Sequence, residues 1–394
     1  MVRTRTGRRA GHVAAALVVL AVIVIVVVSR RGESASPSLV DPATLRGESL
    51  AWTGEGLLVF GGTPPEGGSR LAESATLVDV ASGDIEALPL PPFPVGFFGA
   101  ALVAVDDTVV LVAGRCDDAE SEEEDCPPGT YVSATLSLEE RSWTEVEIPD
   151  ALASTVGLYD AVGATSDGHA VFRLGTRRDA EYWTYSVADR VWAEVPSPGV
   201  RLDDACLAGD RLVVVNATLR SLEDVAPGEP YDHWEAVTLH VRDLADPDGE
   251  WQATPPNRTF RVPGRGLRPE VECTSEAVLV RDDDERHARR ILEPDSIDDP
   301  WPETADPPEL EFLPATIEAG NEIVFLGTDD GPLTAASPTR AYDPVLDRWR
   351  VLVGAPVGAE PLVWTGDSLV GYRPPGGPGA PTRTSLVVHP IPAP

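Results

Sequence analysis

The chain has 394 residues and a net charge of −33, and its 31 basic residues are all arginine. Residues 1–31 contain six arginines and no acid, so the rest carries 25 arginines against 64 acids, a net charge of −39. A body this acidic repels phosphate backbones and anionic lipid surfaces, which excludes nucleic acid as a partner. The absence of lysine beside abundant Ala, Val, Gly and Pro is typical of a GC-rich bacterial genome.

An apolar segment near the N-terminus predicts a membrane anchor. Val13–Val28 is an uninterrupted run of sixteen apolar residues, close to the roughly 17–20 residues that span a bilayer. Four arginines precede it and an acidic region follows, which places the N-terminus inside and the body outside. We expect a cytoplasmic tail over residues 1–12, a single-pass transmembrane signal anchor over 13–29, and localisation to the cytoplasmic membrane.

A cleaved signal peptide is the alternative to this anchor, because it has the same charge and apolar run. Arg30 and Arg31 stand where a small-residue cleavage site should follow, and cleavage near Ala35 would place Glu33 where a small side chain is preferred. These flanks favour retention of the segment over secretion. The polar residues 30–47 are interpreted as a linker.

A repeated unit fills the chain from residue 48 onward. It begins with a short strand, a tight acidic or glycine turn and a strongly apolar strand, and alternating apolar residues favour strands over helices. Seven copies recur at intervals of roughly fifty residues. The strand–turn–strand segments that open the seven units are residues 50–62, 101–114, 161–175, 205–217, 272–282, 315–327 and 362–372.

A tryptophan followed within several residues by proline closes most of these units. Successive tryptophans are 49, 59, 50 and 48 residues apart, and one repeated position indicates packing rather than ligand binding. Units of four short strands at this period indicate the blades of a β-propeller, which cover each other's apolar faces. The structural tryptophans are Trp143, Trp192, Trp251, Trp301 and Trp349.

Two segments carry a family resemblance. VFGG at 59–62, with Gly61 and Gly62, and AYDPVLDRWRVL at 341–352 resemble the glycine pair and the third-to-fourth-strand turn of kelch repeats. The resemblance implies an all-β, kelch-like β-propeller over residues 48–394, similar to the central domain of galactose oxidase. We predict seven blades, with six as the alternative. Since the seventh unit lacks a fourth strand, the linker 30–47 is a candidate for the strand that closes the ring.

The resemblance does not extend to the active site of the oxidase. That copper site needs a tyrosine cross-linked to cysteine with further tyrosine and histidine ligands, and no such set can be placed here. The six histidines form no metal-ligand pair, and the acidic loop at 117–125 matches no calcium-loop spacing, so it is interpreted as a solvated loop. We predict no cofactor, no metal site and no catalytic residue.

Four cysteines in an extracytoplasmic chain predict disulfides. Cys116 and Cys126 bracket one short loop, whereas Cys206 and Cys273 share a register in the first strands of neighbouring units. First strands of adjacent blades lie beside each other near the axis, so a Cys206–Cys273 bond is expected as well as Cys116–Cys126. For Cys206 and Cys273, the alternative is two small buried thiols.

Loop lengths differ between the two ends of the predicted strands. Turns after the first strands are short, whereas most loops after the second strands and some after the fourth are long. Because strands alternate in direction, the long loops share one face, here called the long-loop face, and the opposite one is the short-turn face. Long loops on a rigid scaffold are where binding usually occurs, although these loops could merely vary. The candidate binding residues are Tyr231, Asp232, His233, Trp234, Arg261, Arg265 and Arg268.

These features favour a non-enzymatic binding or scaffold protein, tethered outside the cytoplasmic membrane, with a protein or glycan partner on its long-loop face. The alternative is a secreted or anchored propeller enzyme that acts on cell-surface glycans. Such an enzyme would need acids, histidines or tyrosines that converge at the mouth of the axial channel.

Overall fold

The computed structural model describes residues 49–61, 74–95, 100–114, 131–153, 159–175, 180–219, 234–246, 248–257, 269–281, 288–292, 301, 304–305, 316–327, 338–355, 362–373 and 385–391. They belong to one compact unit, Ser38–Pro394. No helix within them is both long and apolar enough to cross a bilayer. The predicted tail, anchor and linker, residues 1–47, lie outside the described residues.

The first four sheets each contain four strands in chain order. The first contains β1 (Ser49–Trp52), β2 (Leu57–Gly61), β3 (Ser74–Val78) and β4 (Ile85–Leu88). The second contains β5 (Ala101–Val105), β6 (Thr108–Gly114), β7 (Tyr131–Ser137) and β8 (Ser142–Val146). The third contains β9 (Tyr159–Ala164), β10 (His169–Leu174), β11 (Glu181–Ser186) and β12 (Val191–Val195). The fourth contains β13 (Asp204–Ala208), β14 (Arg211–Leu219), β15 (Trp234–Asp243) and β16 (Gln252–Ala253).

The fifth and seventh sheets have three strands each within the described ranges. The fifth contains β17 (Glu270–Cys273), β18 (Ala277–Arg281) and β19 (Ala288–Leu292). The sixth has four, β20 (Thr316–Ala319), β21 (Glu322–Phe325), β22 (Arg340–Asp343) and β23 (Arg348–Val351). The seventh contains β24 (Leu362–Trp364), β25 (Ser368–Arg373) and β26 (Ser385–Pro390). A one-turn helix, α1 (Asp150–Ala153), follows the second sheet.

The seven antiparallel sheets follow one another around a closed ring. The first strand of each sheet lies beside the first strand of the next, and β24 contacts β1. Seven hydrophobic clusters of described residues fill the junctions between neighbouring sheets. The cluster at the ring closure joins Leu57 and Val59 of the first sheet to Val370 of the seventh. This all-β arrangement is a β-propeller.

The second strand of each sheet is sandwiched between two neighbouring sheets. All residues of β2, β18 and β21 are buried. A strand that is covered on both faces requires a continuous apolar run instead of alternation, which explains the repeated apolar strand in the sequence. The first strands β13 and β17 retain half-buried residues because they border the axis.

Three of the repeated tryptophans connect neighbouring sheets by a hydrogen bond. The indole Nε1 of Trp143 donates to the carbonyl of Pro89 at 2.8 Å, and that of Trp251 donates to Pro196 at 2.5 Å. Trp349 donates in the same way to Ala305 at 3.2 Å. In each case the carbonyl belongs to the segment that leaves the preceding sheet, so ring packing and a directional bond fix the same junction.

Trp192 is the exception among these tryptophans. Its Nε1 is buried without a hydrogen-bond partner, and its ring packs against Phe172 and Tyr185 at centroid distances of 5.6 and 5.0 Å. At the corresponding exit from the second sheet, the carbonyl of Pro149 accepts a hydrogen bond from Ala153 in α1. The connection that leaves the second sheet therefore forms a helical turn at this junction. Trp301, the fifth of the set, is buried at the junction of the fourth and fifth sheets.

The predicted disulfide between Cys206 and Cys273 is confirmed. It joins β13 to β17, with the two Cα atoms 5.6 Å apart and a sequence separation of 67. In the chain-entropy account, closing a loop of that length contributes about 4 kcal/mol to the free energy of unfolding. The other predicted pair, Cys116 and Cys126, and Gly62 lie outside the described residues, and that disulfide stays a prediction.

Trp349 provides a test of the repeated packing position. Its ring lies 5.0 Å from Phe325 and 4.7 Å from Tyr342, so Trp349→Ala should lower the free energy of unfolding by about 3–5 kcal/mol. Trp349→Phe keeps most of the packing and removes the bond to Ala305, with an expected cost of about 1 kcal/mol in chemical denaturation. Trp192→Phe is the matched control, since no indole bond is lost there. A Trp349→Ala protein that unfolds at the parent midpoint would show that the repeat alignment is wrong.

Candidate functional site

The strand bounds place the long connections on one face of the propeller. Turns between first and second strands span two to four residues, whereas connections between second and third strands span six to sixteen. Both kinds of connection join antiparallel neighbours, so they lie at opposite ends of the strands. The long-loop face is therefore the face where first strands begin and second strands end.

The binding residues predicted from the sequence are not tested by this structure. Trp234 begins β15, where its backbone pairs with Leu219, and its side chain is outside the described set. The other candidates, Tyr231, Asp232, His233, Arg261, Arg265 and Arg268, lie outside the described residues altogether. The acidic loop 117–125 lies outside them as well.

A cluster of charged and polar side chains lies on the first strands of the fourth, fifth and sixth sheets and on the adjoining end of β18. Its members extend from the long-loop ends of these strands toward their middle. Arg281 at the end of β18 is its centre. Its Nη2 lies 2.5 Å from the carboxylate of Glu270 and 3.3 Å from that of Glu272. The hydroxyl of Thr316, from the next inner strand, donates to the same oxygen of Glu272. We call Asp204, Glu270, Glu272, Arg281, Thr316 and Glu318 the axial cluster.

Asp204 extends the axial cluster toward the third sheet. Its Oδ2 accepts the backbone N–H of Val271 at 3.0 Å, and its Oδ1 lies 3.6 Å from Nη1 of Arg173. Desolvation raises the pKa of Asp204, although the Val271 N–H and the two nearby arginines act in the opposite direction. One carboxylate thus spans the junctions on both sides of the fourth sheet.

Two glutamates of the axial cluster have pKa values near neutrality. Desolvation raises the pKa of Glu272 to about 7, against the attraction of Arg281. Desolvation also raises the pKa of Glu318 to about 7, with added repulsion from Glu272. Glu318 is nevertheless exposed by surface area. Both properties fit a carboxyl on an inner strand, where protein surrounds the group but water still reaches it. Because solvent screens an exposed group, the raised pKa of Glu318 contributes little to the free energy of unfolding.

Tyr182 lies beside this charged region with an unpaired hydroxyl. The residue is 2% exposed, and its hydroxyl has no hydrogen-bond partner. Desolvation raises its pKa, which Arg173 opposes and Asp204 reinforces. A buried phenol without a partner is an uncommon feature that suits a site for a polar ligand or an ordered water.

The described residues contain no group of three or more His, Cys, Asp or Glu placed to hold a metal ion. His169 contacts Asp167 at 2.8 Å in a tight turn on the short-turn face, and desolvation lowers the pKa of His240 and His389. The axial cluster therefore offers charge, hydrogen bonds and two near-neutral carboxyls, and it was not identified from the sequence. The available signal was the alternation of acids with apolar residues in Glu270–Cys273.

Comparisons with known proteins support the fold. No protein-family model and no curated protein sequence matches this chain. Among solved structures, it is similar to the polysaccharide lyase Uly1, with a TM-score of 0.59 and 11% identity over 91% of this chain and 93% of the lyase. It is also similar to a fungal alcohol oxidase of the AA5 family in complex with copper, with a TM-score of 0.53 and 11% identity over 89% of this chain and 75% of the oxidase. Likeness at this identity shows the fold alone.

The raised pKa of Glu318 predicts a pH-dependent stability. Because the folded-state value of about 7 exceeds the ordinary 4.5, the folded state binds the proton more tightly, and stability falls as the pH rises from about 4.5 to 7. Glu318→Gln should therefore unfold with the parent's free energy at pH 4 and be more stable at pH 8, by no more than about 1 kcal/mol because solvent screens the group. The control is Glu145→Gln on the outer strand β8. Equal stability of Glu318→Gln and the parent at both pH values would contradict the prediction.

Proposed function

We propose that this protein is a non-enzymatic binding protein whose partner docks on the long-loop face of the propeller. The observation that carries the proposal is the coincidence of two features at one end of the strands. The long connections lie there together with the part of the axial cluster that stands at strand ends, namely Asp204, Glu270, Thr316 and Arg281. The short-turn face carries compact turns. A rigid ring that presents adaptable loops around a polar centre is a common architecture for recognition.

Two groups of charged side chains on the short-turn face contact neighbouring sheets. Asp210 accepts hydrogen bonds from the backbone N–H and the hydroxyl of Ser166, at 2.5 and 2.6 Å. Arg141 lies within 3.4 Å of Glu55 and 3.3 Å of Glu86. Side chains that are already paired within the ring are less available to a partner, which favours the opposite face.

We further propose that the seven sheets are the blades of one kelch-like propeller and that the partner is a protein or a glycan. We assign the strand that would complete the seventh blade to the linker 30–47 as part of this proposal; the linker lies outside the described residues. The proposal also includes the membrane tether, with the propeller outside the cytoplasm. The apolar run Val13–Val28 and its arginine flanks support the tether.

The tether can be tested by intact-mass measurement of the protein recovered from membranes. We expect a mass that includes residues 1–29, because Arg30 and Arg31 disfavour cleavage after the apolar run. Extraction should require detergent, and carbonate washing is the control for peripheral attachment. A soluble mature form that begins near residue 36 would contradict the anchor and leave a secreted propeller.

An enzyme that acts on cell-surface glycans is the second candidate. It is favoured by Glu272 and Glu318, two neighbouring carboxyls whose pKa values of about 7 suit proton transfer near neutral pH. The two candidates differ in one outcome. Glu318→Gln should abolish release of sugar products from an enzyme, whereas a binding protein releases none in either form.

Site-specific photo-cross-linking in cells tests which face binds. A photoreactive residue in place of Leu90, Val200 or Val353 reports on segments that leave fourth strands on the long-loop face, and all three side chains are exposed. Val345 and Leu346 are the matched controls, because they are equally apolar and exposed but lie in a turn on the short-turn face. We expect one partner to be captured from the first set only.

Capture only at Val345 or Leu346 would contradict the assignment of the binding face. Capture at neither set, with full expression of the variants, would remove the support for a binding function and favour the enzymatic alternative.

A further inference from the structure

We propose that an oxyanion group of a ligand binds between the fifth and sixth sheets, on Arg281 and Arg340. The site would give the long-loop face a preference for anionic ligands, and the role of such a ligand rests on the proposed binding function. It rests on two arginines with buried guanidinium nitrogens that have no hydrogen-bond partner among the described residues.

Arg281 uses one of its three nitrogens in the described contacts. The residue is 5% exposed, and its Nη2 holds Glu270 and Glu272. Its Nε and Nη1 are buried and have no hydrogen-bond partner in the part of the chain that the structure describes. A guanidinium presents five N–H donors in a fixed plane, so most of its donors remain available.

Arg340 presents the same pattern from the neighbouring sheet. It begins β22, and its Nε and Nη1 are also buried without a partner. Desolvation lowers the pKa of Arg340, which is the expected effect of burial on a cation.

Phe325 places the two arginines on one side of the sixth sheet. Arg340 pairs directly with Phe325 in the register of β21 and β22, so the two side chains share a face of the sheet. The guanidinium carbon of Arg281 lies 5.7 Å from the centre of the same phenyl ring. Both arginines also stand at the long-loop ends of their strands.

Arg350 in the same sheet shows how a structural arginine is neutralised. Its Nε donates to Glu322 at 2.7 Å, and its Nη2 donates to the second oxygen of that carboxylate. Buried donors without acceptors oppose folding. Arg281 and Arg340 lack such a two-bonded carboxylate among the described residues, so we infer that a ligand supplies the acceptor. A carboxylate, sulfate or phosphate oxygen supplies it.

The neighbouring acids restrict the form of the ligand. Glu270 and Glu272 stand beside Arg281, so they repel anions that enter the site. The repulsion is stronger for a divalent ion such as sulfate than for a ligand with one carboxylate on an otherwise uncharged molecule. We therefore favour a carboxylate-bearing ligand such as an acidic sugar.

The test is calorimetric titration of the full chain in detergent at constant ionic strength. The probes are sodium glucuronate, sodium sulfate and sodium phosphate, with glucose as the uncharged counterpart of glucuronate. We expect saturable binding of glucuronate but not of glucose, and a dissociation constant at least tenfold larger for Arg340→Met. Arg348→Met is the matched control, because it removes an exposed arginine from the same sheet, and its affinity should stay within twofold of the parent.

Saturable binding of sulfate or phosphate alone, with the same dependence on Arg340, would keep the oxyanion site and reject the carboxylate preference. No saturable binding of any of the three anions, or unchanged affinity in Arg340→Met, would overturn the inference. Arg340→Met should also unfold in chloride at or above the parent temperature, since it removes a buried charge without a partner, and a lower temperature would show that the arginine is structural. Anion binding without photo-cross-linking would retain this site and reject the proposed partner face.

Discussion

Coverage of each second strand on both of its faces is the constraint on which the rest of the propeller depends. Strands such as β2 and β18 are buried throughout, with apolar side chains at every position except Arg281 at the end of β18, and a single sheet would expose both of their faces. Only a neighbour on each side can cover them, so every hydrophobic cluster draws on two sheets. The ring follows because any open row of sheets would leave two apolar faces in water. The tryptophan-to-carbonyl bonds then fix how each pair of sheets is rotated.

This packing determines where charge can be placed. Second strands have no free face, whereas the first strands border the axis and keep one side accessible to water. Asp204, Glu272 and Glu318 therefore lie on first strands, where hydrogen bonds from Val271 and Thr316 hold two of them in place. Because the surrounding protein strengthens electrostatic interactions, a few carboxyls near Arg281 acquire properties that the same residues lack on the outer strands.

The parts of the fold that depend on local pattern were predictable from the sequence. Continuous apolar runs, the repeated tryptophans and the matching register of Cys206 and Cys273 all predicted blades and a bond between neighbours. The axial cluster was not predictable, because its members come from different strands. Glu272, for example, contacts Arg281 of the next strand and Thr316, which lies 44 residues later in the chain. Which strand face Glu272 occupies depends on the register of β17, and alternation alone does not indicate what lies opposite. The candidates between Tyr231 and Arg268 stay predictions for another reason, since all but Trp234 lie outside the described residues.

The closing junction between the seventh and first sheets has a mechanical consequence. Its two sides come from the beginning and the end of the repeat region, and the packing of Leu57, Val59 and Val370 contributes to holding them together. The Cys206–Cys273 bond lies across a different junction, between the fourth and fifth sheets, so it does not reinforce this one. A pulling force applied at Ser49 would load the first sheet directly. Under such tension the ring would unzip from this seam, while the disulfide kept the fourth and fifth sheets joined as a clamp.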